Sequence, residues 1–130
     1  MASSPTQRSL KLLRGQGYSA QVVEHWVPQT MRRRDLFGCI DIVAVHPKVD
    51  GVLGVQTTSA TNFSARKTKA LAIPELRVWM QAGGRFAVHG WRNKPIKCGP
   101  KAKNPTRPNW IVRIEEMTWL DLDTLNKEGE

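Results

Sequence analysis

The chain has 130 residues, with 20 Lys and Arg against 11 Asp and Glu for a net charge of +9 and a pI near 10.2. That length predicts one basic domain over residues 1–130, and 40 % apolar residues including five Trp suffice for a core. An apolar run long enough to span a membrane is lacking, a secretory h-region is not evident, and two cysteines are too few for a disulfide framework, so a reducing cytoplasm is the expected setting.

Ser4 and Pro5 read as the N-cap and first position of a helix whose apolar face is Leu10 and Leu13, with Gly15 and Gly17 ending it. Tyr18 to Val27, rich in β-branched and aromatic residues, is predicted as one strand closed by Pro28. Gly38 to His46 is predicted as a second, with Ile40, Ile42 and Ala44 on one face and Asp41, Val43 and Val45 on the other. Pro47 and an Asp50-Gly51 turn end it. The third, Val52 to Thr58, sets Leu53, Val55 and Thr57 opposite Gly54, Gln56 and Thr58 and forms a hairpin with the second.

Ser59 or Thr61 is the expected cap of a helical block that restarts at Pro74 and stops at Gly83-Gly84. Arg85 to Trp91 reads as a fourth strand, reached by a crossover if it pairs in parallel. Residues 92–109 are predicted as an irregular cationic loop, because Pro95, Pro100, Pro105, Pro108 and Gly99 interrupt it. Trp110 to Met117 is a fifth strand, and the end, capped by Thr118, a short acidic helix. The expected architecture is an α/β single domain with a central mixed sheet of four to five strands flanked by helices, its core over residues 4–91.

Residues 1–110 hold 18 basic and 5 acidic side chains, whereas 111–130 hold 2 and 6. Such an excess suits a polyanion, since each neutralised phosphate releases a condensed counterion. The basic groups cluster at Arg32, Arg33 and Arg34, at Arg66, Lys67 and Lys69, and at Lys94, Lys97, Lys101 and Lys103 in the loop. DNA, duplex or branched, is the expected partner; a merely solvated basic surface is the plain alternative. An interaction protein using its acidic tail on a basic partner is a third reading.

Asp41 interrupts the apolar run CIDIVAV, where a carboxylate is costly unless hydrogen-bonded, paired or bound to a cation. Gln56 and Thr58 interrupt the next strand, sharing a face roughly 7 Å apart, and a hairpin partner brings Asp41 alongside. Three polar side chains are thus expected to converge at one edge of the sheet. Cys39, Cys98, His25, His46 and His89 lack zinc-site spacing, and Cys39 reads as a small core residue. The tryptophans are expected mainly in the core, with Trp91 or Trp110 as stacking platforms beside the cationic loop.

With DLFGCIDIVAV followed by GVLGVQTTS, the chain resembles the PD-(D/E)XK nuclease superfamily in the small form of archaeal Holliday-junction resolvases, over about Leu10 to Trp91. The resemblance implies an αβββαβ core, a metal-dependent DNA endonuclease or junction-resolvase-like phosphodiesterase, and a homodimer. It sets Asp41 at the family's first Asp, Gln56 at its acidic position and Thr58 at its Lys. It also implies Mg²⁺, with Mn²⁺ as a substitute, polarising the scissile phosphate and activating water. The arrangement RRRDLFG, DIVA, GVQ-x-T is similar to that of small phage and bacterial proteins, which implies the cytoplasm of a bacterium or of a phage-infected host.

Two departures shape the expected site. Gln56 brings no charge, so Mg²⁺ needs a further carboxylate, for which Glu24 and Asp35 are available. Thr58 cannot replace an ammonium, so the basic role is absent or falls to Lys67 or Arg66. The first helix, too, lacks the acidic residue that resolvases place there. The alternative function is a degenerate nuclease fold acting as a non-enzymatic nucleic-acid-binding module. Each residue has a plain reading as well: Asp35 pairing with the arginine run, Glu24 solvated on an edge, Gln56 and Thr58 as a sheet ladder, Asp41 satisfying backbone donors.

Overall fold

The computed structural model describes residues 4–122. Ser4 Oγ accepts the Gln7 amide at 3.2 Å and Pro5 occupies the first turn, which opens α1 (Pro5–Gly15) with Leu10 and Leu13 buried. The strands of the main sheet are β1 (Ser19–Val22), β4 (Ile42–His46), β5 (Val49–Ser59), β6 (Arg85–Asn93) and β9 (Trp110–Glu116). Between β1 and β4 lies a two-stranded ribbon, β2 (His25–Val27) and β3 (Arg32–Arg34). A second small ribbon, β7 (Ile96–Lys97) and β8 (Thr106–Arg107), projects between β6 and β9. Two helices, α2 (Phe63–Leu71) and α3 (Pro74–Gln81), cross from β5 to β6.

The protein is therefore α/β, a single small domain with a five-stranded mixed sheet of order β1-β4-β5-β6-β9. Only β5 and β6 run parallel; the other neighbours are antiparallel. One face packs Ile42, Ala44, Leu53, Val55 and Ala87 against Leu10 and Leu13 of α1. The other packs Ile40, Phe86 and Val88 against Phe63, Ala70 and Leu76 of the crossover helices. Gly90 lets α2 seat there, since a Cβ at that position would lie 2.6 Å from the Phe63 ring. Among the described residues no helix is long and apolar enough to cross a membrane.

Several predicted elements come out differently. Tyr18 to Val27 is not one strand, because the partner of β1 begins only at Ile42 and the chain leaves the sheet at Val23 and Glu24. The second strand is shorter than Gly38 to His46, because residues 36–40 form a closed turn in which the Ile40 amide bonds the Leu36 carbonyl at 3.0 Å. Phe37 and Gly38 carry the positive φ values of that turn, and Ile40 consequently joins the α2 side rather than the face of Ile42. The hairpin turn is Pro47-Lys48, whose Lys48 amide bonds His46 Nδ1 at 3.0 Å. Asp50 and Gly51 lie within β5 where the register shifts, and Gly51, at φ 90°, passes so close to the Gly83 carbonyl that no side chain fits.

Asn62 rather than Ser59 or Thr61 precedes α2, with Ser59 Oγ accepting the Asn62 amide at 3.3 Å. The 92–109 segment is ordered at its base by β7 and β8 and by the bond from the Lys94 amide to the Asn109 carbonyl at 2.7 Å. Trp26, Trp110 and Trp119 are exposed, contrary to the expected core placement, whereas Trp91 is buried. The terminal helix starts at Trp119, with the Thr118 amide and hydroxyl both donating to Asp121 Oδ2; residues 123–130 lie outside the described residues.

Candidate functional site

The sheet opens where β4 begins. The last bonds across it run from the Val23 amide to the Asp41 carbonyl at 2.9 Å and from the Asp41 amide to the Val55 carbonyl at 2.8 Å. Beyond them β5 continues to Ser59 without a strand on that side, and the Asp41 side chain takes the missing place. Its Oδ2 accepts the Thr57 amide at 2.8 Å and the Thr57 hydroxyl at 3.2 Å. With the Thr57 hydroxyl donating to Asp41, its oxygen receives the Thr6 hydroxyl of α1, 2.7 Å away.

Two further carboxylates reach this point from the ribbon. Glu24 leads from β1 into β2 and Asp35 follows β3, so the ribbon's two ends carry both residues to Asp41. One carboxylate oxygen from each of Glu24, Asp35 and Asp41 lies within 4.8 Å of the others. They line a cleft of about 280 Å³ with Gln56, Thr57 and Thr6, and Arg33 and Arg66 stand at its edge. Arg33 Nη1 lies 3.2 Å from Glu24 Oε1 and offsets part of the negative charge.

Burial pushes the Asp41 carboxyl up to about 8, opposed by the Thr57 amide and reinforced by a bond to Asp35 and the charges of Asp35 and Glu24. Gathering three carboxylates in a partly buried space is unfavourable unless protons or a cation intervene. Gln56 is 3 % exposed, and its Oε1 is sealed from solvent with no hydrogen-bond partner among the described residues. A buried carbonyl oxygen without a donor costs stability unless water or an ion reaches it. Three carboxylates and an amide oxygen form an all-oxygen donor set suited to a hard divalent cation such as Mg²⁺ or Mn²⁺.

Asp41, Gln56, Glu24 and Asp35 thus come together as expected from the sequence. Thr58 does not join them: it is buried and does not line the cleft. Lys67 is also placed elsewhere, 3.1 Å from Glu115 and 4.0 Å from Asp121, so Arg66, one residue earlier, is the α2 cation that lines the cleft. Arg32, Arg34, Lys69, Lys94, Lys97, Lys101 and Lys103 are all exposed. The sequence reading missed Thr57 and Thr6. Thr57 lies on the face opposite Gln56, as the strand alternation predicts, but Asp41 sits at the strand's open edge and reaches that side.

A second buried polar group lies beside the first. Ser9 Oγ is 2.8 Å from Trp91 Nε1, which donates to it, and 2.9 Å from His89 Nδ1. Burial drives the His89 imidazole down to about 4, so at neutral pH it is uncharged.

The chain matches no family model, and no curated protein or solved structure matches it.

Proposed function

We propose that the protein is a metal-dependent phosphodiesterase that cleaves DNA at the Asp41 cleft. The observation that carries this reading is the unpartnered, buried Gln56 carbonyl beside three carboxylates drawn within 4.8 Å of one another. The sequence of α1, β1, β4, β5, crossover helices and β6 supports it as well, being the αβββαβ order of the PD-(D/E)XK nucleases that the chain resembles.

In this reading Asp41, Glu24 and Asp35 hold a Mg²⁺ or Mn²⁺ ion with the Gln56 carbonyl. Such an ion, when bound, supplies Lewis-acid polarisation of a phosphoryl oxygen and lowers the pKa of water. Thr57 and Thr6 fix the Asp41 carboxylate through the amide and hydroxyl bonds, the kind of outer support that sets ligand orientation. Arg66 takes the phosphate contact that Thr58 cannot make, and Arg33 stands ready at the edge as a second cation. Exposed Arg32, Arg34 and Lys69, with the lysines of the 92–109 segment, carry the sequence-independent attraction to the backbone. The homodimer that resolvases form is part of this proposal, and sedimentation of the protein with and without DNA tests it.

The second reading is a nucleic-acid-binding module that has lost catalysis, and Gln56 and Thr58 in place of an acid and a lysine favour it. Labelled single-stranded, duplex, flap and four-way-junction DNA incubated with Mg²⁺, Mn²⁺ or EDTA separates the two. Metal-dependent products that vanish in Asp41→Ala are expected. DNA bound equally by both proteins, with no product under any metal, would replace the nuclease by the binding module.

A further inference from the structure

Helix α1 packs across β1, β4, β5 and β6, and β9 is the edge strand of the sheet next to β6. The register sets Trp110 opposite Asn93, Val112 opposite Trp91 and Ile114 opposite His89, so these three share the α1 face. Trp110 and Ile114 stay 42 % and 46 % exposed there. Arg8 reaches over from α1 and lays its guanidinium carbon 3.4 Å from the centre of the Trp110 ring. Among the described residues its Nε has no hydrogen-bond partner, and the guanidinium packs on the indole in a cation–π contact. One face of the ring is thereby covered, and the residue still keeps 42 % of its surface exposed.

This indole stands at the root of the most cationic stretch of the chain. Trp110 directly follows the 92–109 segment, in which Arg92, Lys94, Lys97, Lys101, Lys103 and Arg107 are exposed. Two copies meeting through this segment would bring its cations against each other, whereas a polyanion is complementary to them. An open aromatic face among cations suits a nucleobase stacked on the ring with its phosphates on the flanking Arg and Lys. Paired bases inside a duplex have no free face to offer, so the ligand must contain an unpaired segment.

We propose that Trp110, backed by Arg8 and continued by Val112 and Ile114, is a stacking platform for unpaired nucleotides, which makes the substrate of the Asp41 cleft a single-stranded or partly unpaired nucleic acid. The proposal rests on the nucleic-acid reading above. Helix α1 ties platform to cleft, since Thr6 bonds Thr57 in the cleft, Arg8 backs Trp110, and Ser9 between them bonds His89 and Trp91.

Fluorescence anisotropy in EDTA, with an oligo-dT strand and a blunt duplex of equal length, tests it without any cleavage step. Trp110→Ala is expected to weaken oligo-dT binding by roughly tenfold or more. Its duplex affinity and the salt slope should stay unchanged, because no charge is removed. Trp110→Phe, which keeps a ring face, should retain most of the oligo-dT affinity. Equal oligo-dT binding by wild type and Trp110→Ala overturns the proposal. So does an equal loss for strand and duplex, or a loss in Trp110→Phe as large as in Trp110→Ala. A Trp110-dependent strand preference in a protein that cleaves nothing leaves the platform standing and removes the catalytic reading. Cleavage that needs Asp41 but ignores Trp110 does the reverse.

Discussion

Two buried polar sites, one on each face of the sheet, are partnered differently. On the α1 side, hydroxyls complete one another: Thr6 with Thr57, and Ser9 with both His89 and Trp91. On the α2 side, Gln56 lies in the same strand as Thr57, one residue away, yet its carbonyl oxygen is sealed with no donor among the described residues. Partnered buried groups are explained by the fold they stabilise, whereas an unpartnered one costs stability unless water or an ion reaches it. In the function proposed above, a cation held by the three carboxylates that line the same cleft is that partner.

The strongest way to break this contrast is Asp41→Asn. Asparagine still offers an oxygen to the Thr57 amide but removes the charge that a cation needs. Cleavage is expected to fall to the level seen in EDTA, while DNA bound in EDTA stays as in wild type. Gel assays and anisotropy on the same preparation check both halves; retained cleavage would take Asp41 out of the chemistry.

Acid titration of the metal-free protein sharpens the contrast next, because His89 and Asp41, two buried groups that titrate below pH 8, pull in opposite directions. His89 is held down to about 4, so as pH falls from 6.5 toward 4 the unfolded chain takes up a proton that the folded one refuses. Its contribution, about 3 kcal/mol, is present above pH 6.5 and lost toward acid. Asp41 is held up to about 8, so the folded state keeps a proton that the unfolded chain loses near pH 4. Its contribution is present at low pH and lost as pH rises toward 8. Urea unfolding across this range should show the two trends offsetting each other below pH 6.5, then a decline toward pH 8. In Asp41→Asn the decline above 6.5 should vanish and a rise from pH 4 to 6.5 should emerge.

Ser9→Ala tests the partnered side alone. It strands the Trp91 indole N–H and the His89 Nδ1 atom, at a cost of roughly 1–3 kcal/mol seen as a lower Tm. Metal binding by calorimetry should not change. Gln56→Leu is the mirror experiment, since it removes an unsatisfied carbonyl and its stability cost should be small or negative. Metal affinity should nevertheless fall by about tenfold or more, the scale of lost metal-site contacts. Equal metal binding by wild type and Gln56→Leu would show the orphan oxygen to be no ligand.

Much of the fold was legible because it is local. The N-cap at Ser4, the alternation along β5 and the Pro74 restart of α3 are properties of neighbouring residues. Asp41 and Gln56 stood out because each interrupts an apolar run, and Glu24 and Asp35 entered as the carboxylates that a neutral Gln56 requires. What was not legible depends on distant partners. The break at Glu24 is imposed by the start of β4, and the exposure of Trp110 by the place of β9 at the edge of the sheet. Thr57 reads as a face opposite the site until Asp41 is seen to fill an open strand edge.

Arg66 and Lys67 carry the smallest predicted effect and the clearest example of such long-range control. Successive helical residues point about 100° apart, so only one of them can line the cleft, and the seating of Phe63 against Gly90 decides which. Lys67 bonds Glu115 across to β9 with its side chain 27 % exposed, an ion pair worth at most about 1 kcal/mol. Lys67→Met should therefore lower stability slightly and leave cleavage unchanged, whereas Arg66→Met should slow cleavage with stability intact. The paired comparison is informative because both variants remove one positive charge from the same turn of α2, so any general loss of attraction to DNA is common to them. A cleavage defect confined to Lys67→Met would mean that α2 is rotated about its axis in the working enzyme and that the Glu115 pair gives way when substrate binds.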